Sequence, residues 1–167
     1  MKYQEKKYRV DSLLPIQKLL ERVGAKKGQE ITTTHYYAEQ HTNDIVKLVV
    51  YGDRNEIHVL LESHGTYSLK ENIPVASVEA GLSWLKAHGY HTVDIVKMAY
   101  TDYEYKGGII GLYVIDNFLS SVILDFPPGT HEAMEKEFGL QNAEVIHLPY
   151  NKYLERLHRL RSIQLTA

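Results

Sequence analysis

Four side chains alternate near the start of the chain: Tyr3, Glu5, Lys7 and Arg9. If Met1 to Val10 form a strand, these residues share a face, and Lys6, Tyr8 and Val10 share the other. One carboxylate and two cations then stand together. At a sheet edge such charges serve only to discourage aggregation. Lining an interior, they suit phosphate chemistry, because lysine and arginine neutralise phosphate oxygens while carboxylates hold a hard divalent cation.

Further strands carry isolated polar residues at period two. Lys47 shares a face with Ile45, Val49 and Tyr51, and His58 shares one with Glu56, Leu60 and Glu62. Lys97 falls with Ile95, Ala99 and Thr101, Asp116 ends the run from Ile109, and Asp125 falls with Ile123. Gathered around one barrel, these residues make a cavity with cations on some strands and carboxylates on others. A bound metal there polarises a phosphoryl group or activates water. Gly107-Gly108 lacks the Gly-Lys-Ser/Thr that a phosphate-binding P-loop needs. His41, His58, His64, His88 and His91 show no metal-ligand pair at helical spacing and read as ordinary surface or strand histidines.

The elements that must position these residues are legible in outline. Leu13, Ile16, Leu19, Leu20 and Val23 recur at helical spacing behind Asp11, Ser12 and Pro15, and Gly24 follows as a C-cap. Gln29 to Glu39 reads as a strand, and Ile45 to Tyr51 with Glu56 to Glu62 as a hairpin about Gly52-Asp53-Arg54-Asn55. Thr66 to Leu69 is a short strand candidate after a His64-Gly65 turn. Pro74 and Ser77 introduce a helix over Val78 to His88. Val93 to Thr101 follows as a strand, with Tyr103 to Lys106 as its partner or continuation. Ile109 to Asp116 and Val122 to Phe126 form another pair, ended by Pro127-Pro128-Gly129. Thr130 caps a helix over Glu132 to Phe138, Val145 to Leu148 is extended, and Tyr150 to Ile163 is a terminal helix.

The order helix, glycine, strand ending in aromatics, then apolar strand pair occurs twice, from Leu20-to-Gly24 and from Leu85-to-Gly89. Two copies of one unit predict an α+β fold: a closed or nearly closed antiparallel β-barrel with helices outside and a pseudo-two-fold internal repeat. Closure gives the charged face of the first strand an interior to line.

With 167 residues the expectation is one domain, 1–167. A hydrophobic fraction of 44% and a net charge of -2 fit a globular protein without broad nucleic-acid binding. The absence of cysteine excludes disulfides and thiolate ligands, leaving oxygen and imidazole for any metal. No apolar signal core or membrane-length run is present, so a cytoplasmic location is expected.

The order of these segments resembles the CYTH superfamily, the triphosphate-tunnel proteins that include class IV adenylyl cyclases, thiamine triphosphatases and inorganic triphosphatases. The matching stretches are Tyr3-Gln4-Glu5-Lys6-Lys7-Tyr8-Arg9-Val10 against Glu-x-Glu-x-Lys followed by an aromatic and Val, Leu20 to Ala25 against Leu-x-x-x-Gly-Ala, Lys97, Ile115-Asp116, and Tyr150 to Leu154. The resemblance implies phosphate contacts at Lys7, Arg9, Lys47 and Lys97, and metal contacts at Glu5, Asp116 and Asp125, with Mg2+ or Mn2+ as cofactor. It leaves the catalytic residues unassigned. Tyr3, Val49, Leu60, Ala99 and Ile123 stand where the family carries charged residues, so donors and ligands are missing.

Three readings follow. The chain is a metal-dependent phosphohydrolase or adenylyl cyclase acting on a triphosphate compound, a catalytically inactive tunnel domain that binds an anion or serves as a scaffold, or an unrelated antiparallel β protein. The expected partner is a small phosphorylated anion, with a homodimer left open.

Overall fold

The computed structural model describes residues 3–39 and 41–166. Met1 and Lys2 of the expected first strand, Gln40, and Ala167 at the end of the expected domain lie outside the described residues. The elements in chain order are β1 (Gln4–Arg9), α1 (Leu14–Arg22), β2 (Lys26–Ala38), β3 (Asp44–Val50), β4 (Asn55–Ser63), β5 (Thr66–Val75), α2 (Val78–Ala87), β6 (Thr92–Tyr105), β7 (Gly108–Ile115), β8 (Leu119–Phe126), α3 (His131–Glu137), β9 (Glu144–Val145) and α4 (Tyr150–Thr166).

All paired strands run antiparallel, in the order β5-β4-β3-β2-β6-β7-β8-β1-β9. The pairing of Glu5 with Tyr67 and Lys6 with Thr66 joins β1 to β5 and closes the sheet into a ring, with β9 beside β1. The ring is made of two four-strand halves, β2 to β5 and β6 to β8 with β1, which meet along β2 and β6. This is the expected α+β architecture with its internal repeat.

Helices cover the outer face where alternation puts apolar residues. Tyr8, Tyr103, Ile110, Leu124 and Phe126 pack with Ile16 and Leu20 of α1 and Met134 of α3. Val46, Leu48, Ile57 and Val59 pack with Leu85 of α2. Ser77 caps α2 as expected, its hydroxyl accepting from the Ala80 N–H at 3.0 Å. Thr130 makes no such side-chain bond at α3. Lys6 and Tyr8, on the outer face of β1, both reach Glu135 of α3.

The third cluster lies inside the ring. Tyr37, Ile45, Met98 and Ile123 meet Tyr150, Tyr153 and Leu154, so α4 closes one end of the tunnel instead of packing wholly outside. The strand expected over Val145 to Leu148 shortens to β9, and residues 146 to 149 strap across that end. Ile146 N–H donates to the Lys7 carbonyl at 2.8 Å, and Tyr67 donates its hydroxyl to the His147 carbonyl at 2.6 Å.

Two strands are longer than the sequence suggested. β5 continues to Val75 through Pro74, a position where the missing N–H costs no ladder bond on the side away from β4, because β1 pairs only near Thr66 and Tyr67. β6 is one strand from Thr92 to Tyr105, so Tyr103 to Lys106 is a continuation and not a partner.

Candidate functional site

Glu5 and Lys7 project into the ring, as their alternation with the outward Lys6 and Tyr8 requires. They line a cavity of about 150 Å3 together with Lys47 and Tyr51 from the β3 side, His58 of β4, and His35 and Tyr37 of β2. Tyr67, Tyr100, Tyr113 and Tyr150 complete its aromatic walls.

Lys7 sits toward the end that α4 covers and is 4% exposed. Its ammonium donates to the Leu148 carbonyl at 2.8 Å and lies 3.8 Å from the Tyr67 ring centre and 4.4 Å from that of Tyr150. Burial, with the Lys47 charge adding to it, pushes its pKa down to about 7. Lys47 faces the same cavity, with the Tyr37 ring centre 5.2 Å from its ammonium. Burial lowers its pKa to about 8, against the opposing pull of Glu5.

Two imidazoles flank the lysines. His58 lies directly opposite Lys47 across β3 and β4, and its Nε2 is 2.9 Å from a Glu56 carboxylate oxygen. Burial and the Lys47 charge lower its pKa despite Glu56. His35 Nε2 is 2.8 Å from the Thr33 hydroxyl, while its Nδ1 is buried with no partner among the described residues. Burial holds its pKa well below the usual histidine range, which keeps the ring neutral.

The carboxylates lie toward the other end. Glu5 and Asp125 are opposed across β1 and β8, and Asp102 stands on the inward period of β6 with Tyr100. Burial raises all three pKa values, and their mutual repulsion adds to it: Asp125 acts on Glu5, Glu5 on Asp102, and Asp102 on Asp125. Asp102 is pushed up to about 6.

Arg9, Lys97, Asp116 and Tyr3 do not line the cavity, whereas Ile45, Leu60 and Ile123 do. Arg9 lies at the α4-covered end, 3.8 Å from Glu144, in a recess with Phe118 and Leu157. Lys97 is exposed on the outer face of β6, because the inward period there is Val96, Met98 and Tyr100. Asp116 stands beyond the end of β7 with φ 51° and accepts the Lys97 N–H at 2.8 Å, so it caps a turn outside the cavity. Tyr3 lies at the opposite end, where its hydroxyl donates to the Gly107 carbonyl at 3.0 Å.

The residues do not fit a resident divalent metal. Among the described residues no three His, Asp or Glu side chains converge on a point where they could hold an ion. Asp116 is turned away, its carboxylate bonded to the Lys97 N–H.

No family model matches the sequence, and no curated protein matches it. Solved structures do. The PH1012 protein from Pyrococcus horikoshii OT3 is similar with a TM-score of 0.76 at 17% identity, over 90% of this chain and 97% of that one. A candidate adenylate cyclase from Vibrio parahaemolyticus is similar with a TM-score of 0.69 at 13% identity, over 92% and 98%. The candidate adenylyl cyclase HpAC1 from Hippeastrum, described as having a dominant triphosphatase activity, is similar with a TM-score of 0.57 at 11% identity, over 82% and 88%. The ring with its four helices has the tunnel fold of these structures, at sequence identities of 11 to 17%.

Proposed function

We propose that the chain is a single divergent tunnel domain whose cavity binds a small phosphorylated anion, with Lys47 and Lys7 as the phosphate contacts. The observation that carries this reading is the convergence of a buried lysine, Lys7, and a half-buried one, Lys47, on one cavity. Each is held in its less favoured environment until an anion arrives. A phosphate oxygen that replaces the Leu148 carbonyl at Lys7 and reaches Lys47 offers both ammonium groups a charge-assisted partner. His35 Nδ1 supplies a further buried polar atom to meet the ligand.

The carboxylate set favours binding over metal-dependent turnover. Glu5 is the only carboxylate lining the cavity among the described residues, and two cations offer limited stabilisation to a reacting triphosphate. A second reading, hydrolysis or cyclisation of a triphosphate compound as its magnesium or manganese complex, is favoured by the fold and by the Glu5–Asp125 pair. In that reading the cation arrives on the substrate phosphates.

The test is calorimetric titration with inorganic phosphate, tripolyphosphate and ATP, alongside assays of phosphate and cyclic-nucleotide release from tripolyphosphate, ATP and thiamine triphosphate with magnesium or manganese. Binding of at least one phosphate compound, weakened at least tenfold in Lys47→Met, is expected. Turnover should not exceed that of Glu5→Gln. Absence of all binding overturns the anion reading; turnover lost in Glu5→Gln replaces it with the enzymatic one.

A further inference from the structure

The charges along the tunnel are polarised. Lys7 lies against the strap and Tyr150 at the closed end, and Lys47 lines the same cavity, where its charge acts on both Lys7 and Glu5. Glu5 follows on β1, one inward position nearer the opposite end, with Asp125 across the strand pair and Asp102 within its field. Lys7, with Glu62 also in its field, thus marks the closed end, Lys47 lies within the field of Glu5, and Asp102 and Asp125 group with Glu5 away from the strap. Such a lining does not suit a compact polyanion along its whole length, because the carboxylates repel the distal charges.

Between the two groups the walls are aromatic. Tyr100 and Tyr113 stack at 4.5 Å between ring centres with planes 8° apart, and Tyr51 lines the same cavity. Tyr51 already carries one cation on its ring, with the Arg54 guanidinium 3.8 Å from the centre. Tyrosine faces beside carboxylates attract a cationic or quaternary ammonium group, through the ring quadrupole and through direct charge attraction. His35 offers an independent indication of a missing ligand: it is 7% exposed, lines the cavity and leaves Nδ1 unpartnered among the described residues.

We infer that the preferred ligand is a zwitterionic phosphate monoester: its phosphate lies at Lys47 and Lys7, and its cationic head lies at Tyr100 and Tyr113 against Glu5, with Asp102 and Asp125 behind the wall adding to the negative field there. This rests on the reading of the two lysines as phosphate contacts and narrows its ligand class. A monoester phosphate carries about −1.5 to −2 at pH 7, which two lysines can match. The ammonium head supplies positive charge to Asp102 and Asp125, on which no cation among the described residues acts, and adds to that of the lysines on Glu5. Glycine at position 111 keeps this end of the wall in place, since a Cβ there would meet Tyr113 Cε2 at 2.4 Å and Asp102 Oδ1 at 2.9 Å.

Phosphocholine tests the inference, compared by calorimetry at pH 7 with inorganic phosphate, choline and tripolyphosphate, each without added metal. Phosphocholine should bind at least tenfold more tightly than either of its halves and more tightly than tripolyphosphate. Asp102→Asn, checked for folding by circular dichroism, should reduce the preference for phosphocholine over inorganic phosphate at least fivefold. If phosphate or tripolyphosphate binds as tightly as phosphocholine and Lys47→Met weakens it, the polarity inference falls while the phosphate site stands. If Asp102→Asn folds and leaves the preference unchanged, the placement of the head falls. If no phosphate compound binds, or Lys47→Met binds them all as well as the unaltered chain, the phosphate site falls too.

Discussion

The Lys7 ammonium lies 3.8 Å from the centre of the Tyr67 ring, and the Tyr67 hydroxyl donates to the strap that supplies the lysine's carbonyl acceptor. The cation is thus held by ring faces and one backbone oxygen, with no carboxylate bonded to it. Holding a buried cation this way is costly to the fold. Lys7→Met should raise stability at pH 7 by about 1 kcal/mol or more, by analogy with apolar replacement of buried charges. Urea denaturation checks this. A loss of stability would mean that the carbonyl and ring contacts outweigh the burial cost.

The same lysine makes stability depend on pH. Lys7 titrates at about 7 in the fold against 10.5 for an unperturbed lysine, and Lys47 at about 8. Between those values the unfolded chain binds more protons, so stability should rise from about pH 7 toward pH 10. Above pH 10 the trend reverses, because buried tyrosines such as Tyr37 stay protonated in the fold while unfolded ones ionise. Thermal melts across this range should show the rise, and Lys7→Met should flatten it.

Anion affinity should move the opposite way. A phosphate monoester has its second pKa near 6, so well above pH 7 the ligand's charge is constant while Lys7 and Lys47 lose theirs. Affinity should fall by at least roughly tenfold between pH 7 and 9, the loss from Lys47 alone, with deprotonation of Lys7 adding to it. Titration at pH 8 in buffers of different ionisation enthalpy should report proton uptake on binding. Pure release would place the phosphate away from both lysines.

The alternation of β1, β3 and β4 was legible because charged or turn residues bracket each short strand. Glu5, Lys7, Lys47 and His58 were therefore placed on the correct faces. β6 was not, since it carries charge on both faces: Lys97 outside, Asp94 and Asp102 on the inward period. A lone lysine is a poor guide in such a strand, and the apolar Met98 beside it was the better one. The aromatic lining escaped notice for a related reason. Tyrosine suits either face of a curved sheet, and Tyr103 is buried under α1 while Tyr100 faces the cavity. Pro74 read as the start of a helix because proline in a strand is confined to sites such as this one, with no partner on its far side.

Gly111 links the fold to the cavity. Alanine there would drive a Cβ to 2.4 Å from the Tyr113 ring, which is stacked on Tyr100 and has little room to move. Gly111→Ala should cost about 1–3 kcal/mol as overpacking. It should also weaken phosphocholine more than inorganic phosphate, as the displaced ring lies at the head-group end. Equal weakening of both ligands would indicate a general loss of the cavity.

Asp116 separates a turn-forming carboxylate from a metal-holding one. It occupies φ 51°, follows the last ladder residue of β7, and uses Oδ1 to accept the Lys97 N–H. Aspartate tolerates this backbone region because its short side chain bonds locally. Asp116→Ala loses that bond and keeps the unfavourable φ, so it should destabilise the chain by about 1–2 kcal/mol. Asp116→Asn retains an acceptor oxygen and should cost less than half as much. Neither should alter phosphate or phosphocholine affinity by more than about twofold, since the side chain is spent on the turn. A tenfold loss of affinity in a folded Asp116→Asn protein, restored by neither lower salt nor lower pH, would return Asp116 to the ligand site.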